Sequence, residues 1–129
     1  MAERRYSRDH TWAERRDGAL LVGLTAHAIE RLGQLRHLQL DVTPDQVLLP
    51  GQVFGTAESD RAVVDLYTPV GGRVVAVHDD LARDPARLHE DCYDAGWLVH
   101  LAPSESSEFS GLLEAAAYIE FLRMRTADL

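Results

Sequence analysis

The sequence predicts a β-rich α+β domain. Three observations carry this reading. Apolar residues fall mostly into short runs bounded by Gly, Pro and Asp, the pattern of strands and turns. One longer segment near the C-terminus repeats its apolar residues at helical spacing. The chain has 129 residues, 46% of them apolar, enough for a single domain over residues 1–129 with a core of its own.

The elements follow in order. Tyr6-Ser7 and Thr11-Trp12-Ala13 flank a polar stretch and begin the N-terminal strands. Arg16-Asp17-Gly18 is a turn, because Gly takes a positive φ without strain. Leu20 to Leu24 is an apolar strand. Thr25 can cap a helix over Ala26 to Leu32, with Ala28, Ile29 and Leu32 on one side and Gly33 as its stop. Leu35, Leu38, Leu40 and Val42 suggest a half-buried strand. Pro44 and Pro50-Gly51 punctuate a loop. Val53 to Ala57 and Ala62 to Tyr67 form a hairpin around the charged pair Asp60-Arg61. After a turn at Pro69 to Gly72, Val74, Val75 and Val77 continue the sheet. Asp84-Pro85 reads as N-cap and first position of a short helix ending near Asp91. Trp97 to Leu101 is the last strand, closed by Pro103. Leu112, Ala115, Ala116, Ile119 and Leu122 make one apolar face of a C-terminal helix.

Charge excludes several functions. Acidic residues number 21 against 13 basic ones, a net charge of −8. A nucleic-acid binder needs a basic stripe to neutralise phosphates, and an anionic membrane surface needs the same. No apolar run nears the ~20 residues of a membrane helix. Arg4-Arg5 precede no apolar run, so no signal peptide is read. The single cysteine, Cys92, forms no internal disulfide and fits a reducing, cytoplasmic setting. All 13 basic residues are arginines. Without lysine the chain has no side-chain amine to acylate.

Several segments, in order and spacing, resemble one family. They are Tyr6-Ser7-Arg8-Asp9-His10-Thr11-Trp12, Val22-Gly23-Leu24-Thr25-Ala26-His27-Ala28 with Leu32-Gly33, and Glu58-Ser59-Asp60-Arg61-Ala62 followed by Asp65-Leu66-Tyr67-Thr68-Pro69-Val70. Asp91-Cys92-Tyr93-Asp94-Ala95-Gly96-Trp97-Leu98 and Leu112-Leu113 through Ala117-Tyr118 complete the set. From about Tyr6 to Arg123 the chain resembles the H proteins of the glycine cleavage system. The resemblance implies a lipoyl-domain-like barrel-sandwich hybrid: a flattened barrel of two antiparallel sheets with short peripheral helices and a C-terminal helix. It also implies a hairpin that exposes one lysine, to which lipoic acid is attached as an amide. That arm carries an aminomethyl group between partner enzymes.

The chain departs from the family at that residue. The family's Glu-Ser-x-Lys-Ala reads Glu58-Ser59-Asp60-Arg61-Ala62, so Arg61 stands at the lipoyl-attachment position. A guanidinium stays protonated at biological pH and its lone pairs are delocalised, so it is no acceptor for an acyl group. Asp60 replaces a small apolar residue, His78 and His89 stand where the family usually has Asn, and Cys92 stands in place of Pro.

Each candidate has a plainer reading beside it. Arg61 is either a fork for a partner's carboxylate or phosphate, or a solvated arginine paired with Asp60 or Glu58. Cys92 is either a substitute thiol carrier or an inert small hydrophobe, and Asp91 and Asp94 would raise its pKa. His78, His89 and Cys92, with His100, supply zinc-ligand types without a recognised ligand spacing, so no metal is assigned. His10 and His27 read as structural hydrogen-bonders. Glu58 and Asp65 flank the attachment position, and with Ser59, Asp60 and Ala62 they form the hairpin's recognition surface.

The expectation is a non-enzymatic H-protein-like protein with no lipoyl cofactor, docking on a glycine-cleavage-type or lipoyl-ligase-like partner enzyme. Two alternatives stay open. One is a genuine aminomethyl carrier in a Lys-to-Arg form. The other is a repurposed carrier or catalyst using Cys92 or the His78/His89 region.

Overall fold

The computed structural model describes residues 3–127. Residues 1–2 and 128–129, included in the single domain read above, lie outside them. The chain runs β1 (Glu3–Tyr6), β2 (Thr11–Arg16), β3 (Ala19–Leu24), α1 (Ala26–Leu32), β4 (Leu35–Leu40), β5 (Val47–Leu48), β6 (Val53–Ser59), β7 (Val63–Tyr67) and β8 (Gly72–Val77). It continues through α2 (Asp79–Arg83), a 3-10 turn (Pro85–His89), β9 (Val99–Pro103), α3 (Ser106–Ser110) and α4 (Ala115–Ala127).

Two antiparallel sheets result. One has six strands in the order β1-β2-β3-β9-β8-β5, the other three in the order β4-β6-β7. Asp17 and Gly18 turn the chain between β2 and β3 with φ of 52° and 78°, the left-handed pair that a two-residue hairpin loop needs. Val22, Leu101, Val74 and Leu48 from the larger sheet and Leu38, Phe54, Ala57 and Leu66 from the smaller one share a single core. The two-layer expectation is met, with one difference. Both sheets are open, ending at β1 and β5 and at β4 and β7, so no barrel closes.

Some elements differ from the sequence reading. Leu35 and Leu38 are buried in β4 as expected, their spacing of three accommodated by a register shift between Leu35 and His37. The strand ends at Leu40, however, and buried Val42 lies beyond it. The helix expected at Asp84 is a 3-10 turn, and the Asp84 side chain makes no capping bond. A short helix, α2, precedes it. The last strand lies at Val99–Pro103 rather than Trp97–Leu101, with Pro103 opposite Gly72 inside it. The C-terminal helix begins at Ala115, so Leu112 lies outside it. Its proposed apolar face is not its buried one. Ala115, Ala116 and Ile119 are exposed; Leu122 of the predicted face is half-buried with Phe121, and Tyr118 is the buried residue.

One buried charge is fully paired. Glu14, 2% exposed, lies between Arg4, whose Nη2 donates at 2.7 Å, and Arg16. The Arg4 guanidinium also stacks on the Tyr93 ring at 4.3 Å.

Candidate functional site: the hairpin tip and the cavity at its root

The β6–β7 hairpin projects the charged tip. Main chain and Ser59 shape it: the Ser59 N–H donates to the Ala62 carbonyl at 2.8 Å, and Ser59 Oγ accepts the N–H groups of Arg61 and Ala62, both at 3.1 Å. Ser59 is buried, whereas Glu58, Asp60, Arg61, Ala62 and Asp65 are exposed. Glu58 lies opposite Val63 and Asp65 opposite Thr56, which puts both acids on the outer face of the small sheet.

The tip leans on the end of α1. Thr25 caps that helix, accepting from the Ala28 N–H, as the sequence suggested. Gly33 ends it at φ 78°. A Cβ at Gly33 would come within 2.8 Å of Asp60 Oδ1 and 3.0 Å of Arg61 Nε, so the glycine gives the tip room to dock. The Asp60 N–H donates to the Gln34 carbonyl at 3.2 Å. Arg61 Nη1 donates to the carbonyls of Arg31 at 3.3 Å and Glu30 at 3.5 Å. These are last-turn carbonyls at the negative end of the helix, where a cation is favourable. The side-chain partners of Arg61 are therefore helix carbonyls, not the carboxylates of Asp60 or Glu58 that the sequence offered. The position presents a guanidinium and no amine, so it does not fit amide attachment of a lipoyl group.

Beside the tip, a cavity of about 370 Å³ separates α1 from β7. Buried Leu24, Leu32 and Leu66 contribute its apolar lining, and exposed Arg8, Asp9, Arg31 and Asp65 its charged groups. His10 also borders it. Sequence reasoning missed the cavity together with Arg8, Asp9 and Arg31. The cavity lining comes from three separate segments, 8–11, 24–32 and 62–67, and no local pattern marks it.

The thiol and histidine candidates are not assembled. Cys92 is buried, and burial first, with the Asp91 charge added, pushes its thiol pKa up. Its carbonyl is tied to the Trp12 indole N–H at 3.0 Å. His89 accepts the Leu35 N–H on Nε2 at 3.1 Å and borders the same depression as Cys92. His78 lies elsewhere, stacked on Trp97 with ring centroids 4.3 Å apart and Nδ1 2.6 Å from the Trp97 carbonyl. Among the described residues no three His, Cys, Asp or Glu side chains gather to hold a metal. No helix of the described residues is long and apolar enough to cross a membrane.

Two antiparallel layers, short peripheral helices and an exposed hairpin tip define a domain with the lipoyl-domain fold. The comparisons make that specific. The family model for the glycine cleavage H-protein matches residues 4–125, and the chain belongs to that family. It is 38% identical over 118 residues to the glycine cleavage system H protein of Anaeromyxobacter sp. (strain K), covering 92% of this chain and 91% of that one. It is 40% identical over 119 residues to that of Myxococcus xanthus (strain DK1622), covering 92% of each. The crystal structure of a glycine cleavage system H protein from Mycobacterium marinum superposes with a TM-score of 0.83 at 34% identity, over 92% of this chain and 95% of that one.

Proposed function

We propose that the chain is an H-protein-type interaction partner that carries no lipoyl arm and docks on a glycine-cleavage-type or lipoyl-ligase-like enzyme. It performs no chemistry of its own and needs neither nucleic acid nor a membrane. The supporting observation is Arg61. An arm-bearing position needs a free, nucleophilic amine at an exposed turn. Here it holds a permanently protonated guanidinium directed to the α1 carbonyls, in a chain without lysine. Recognition then rests on Glu58, Asp65 and the tip itself, which remain accessible.

The test is the intact mass of the protein from its native host, followed by titration against purified glycine-cleavage enzymes and a lipoyl ligase. The expected result is the bare chain mass and saturable binding to one of these enzymes. An added mass mapped to the chain, or no binding at high micromolar concentration, overturns the proposal.

A further inference from the structure

We infer that His10 and Tyr118 form a proton-sensitive clasp for the C-terminal helix: neutral imidazoles hold α4 on the body, and mild acid releases it while the two sheets stay folded. The inference rests on packing, not on the docking function proposed above.

The attachment of α4 is narrow. Among residues 115–125 Tyr118 alone is buried, with Phe121 and Leu122 half-buried. The Tyr118 ring stacks on Tyr6 of β1, centroids 4.9 Å apart and planes 6° from parallel. Its hydroxyl lies 2.8 Å from His10 Nδ1 and 2.9 Å from Thr25 Oγ1. One phenol thus joins three parts of the fold: α4, the β1–β2 turn at His10 and the cap of α1.

Neutral His10 can satisfy the whole chain of hydrogen bonds at this junction. In the tautomer with the proton on Nε2, Tyr118 donates to Nδ1, Thr25 donates to Tyr118, and Ala28 N–H donates to Thr25. Every hydroxyl proton is used. Protonation at Nδ1 makes it a donor and forces the Tyr118 hydroxyl to turn toward Thr25, whose own proton then loses this acceptor.

Electrostatics acts in the same direction. His10 and His27 face each other with centroids 4.8 Å apart. From α1, His10 also faces Arg31, and from α4 it faces Arg125 and Phe121. Arg8 stacks on Phe121 from the β1–β2 turn. Asp9 beside His10 and Glu30 beside His27 are the opposing acids. Burial first, then His27 and Arg31, lowers the His10 pKa below the ordinary value near 6.5, with Arg125 adding to this and Asp9 opposing it. Burial and Arg31 lower that of His27, against Glu30. Of the two, His10 is the one in contact with α4, through the Tyr118 hydroxyl and the Phe121 ring. It therefore favours the docked state when neutral, and a charged His27 beside it adds repulsion. This contribution is fully present above the ordinary histidine pKa and is lost as pH falls below it to the lowered value of the folded protein.

The test is hydrogen exchange on the full chain, comparing protection factors corrected for intrinsic rates at about pH 7.5 and about pH 5. Amides over 116–125 should lose at least about tenfold of their protection in acid while those of β3 and β9 keep theirs. The double variant His10→Asn, His27→Gln should lose the pH response; Asn tolerates the left-handed φ of 65° at position 10. Equal α4 protection at both pH values overturns the clasp. So does the same acid loss in the double variant, or simultaneous loss from the core strands. If the double variant does not fold, NMR titration of the two imidazoles in the unmodified protein decides. Ring protonation in step with α4 release supports the clasp, and complete protonation without release overturns it.

Discussion

Arg61 Nη1 donates to the Arg31 carbonyl at 3.3 Å, so the residue at the family's attachment position closes the open end of a helix. Replacing it with alanine returns those carbonyls to water and removes a cation from the helix C-terminus. Arg61→Ala should lower stability by about 0.5–1 kcal/mol, read by urea denaturation with an unchanged m-value.

A lysine at position 61 restores the missing amine within an otherwise family-like tip. Incubated with a lipoyl ligase, lipoate and ATP, the unmodified protein should keep its mass and Arg61→Lys should gain one lipoyl group. Modification of the unmodified chain would contradict the chemistry argued for a guanidinium. No modification of the variant would show that Glu58, Asp65 and the tip no longer present a ligase substrate.

Gly33 is the contact on which the tip rests. Gly33→Ala puts a side chain at φ 78° and a Cβ 2.8 Å from Asp60 Oδ1. It should cost about 1–2 kcal/mol, more than Arg61→Ala, because a side chain is strained at that positive φ even though exposed Asp60 and Arg61 can move aside. Thermal melting of the two variants side by side checks the ranking.

Glu14 is buried between two arginines. Glu14→Ala removes the buried carboxylate that Arg4 and Arg16 share, but both arginines are partly exposed and stay solvated, so it should destabilise by about 1–3 kcal/mol. Replacing exposed Glu120, whose partner Arg123 is also exposed, should change stability by less than about 0.5 kcal/mol. Denaturant titration separates the two cases.

Cys92 tests the thiol-carrier alternative. Its burial and raised pKa predict little reaction with a disulfide reagent near pH 8 in the folded protein and full reaction after unfolding. Rapid modification of the native protein would reopen a carrier role for this residue.

Local signals made much of the fold legible. Asp17-Gly18, the Thr25 cap, Gly33 and the apolar alternation around Asp60-Arg61 each state their geometry within a few residues. What was not legible depended on distant partners. The end of β4 at Leu40, with buried Val42 beyond it, is set by pairing with β6. The α4 face was misread because alanines at helical spacing look apolar, although Tyr118 stacked on Tyr6 is what anchors the helix. At the site, the sequence exposed the missing amine, since that is a property of residue type alone. It did not show where the Arg61 side chain goes, because the Glu30 and Arg31 carbonyls are thirty residues away in sequence.

The hairpin's backbone bonds run between Ser59, Arg61 and Ala62 without using the side chain of residue 61. Form and cargo are therefore separable at this turn. The turn would keep its shape whichever side chain stands at position 61, so the scaffold and the group it presents can change independently.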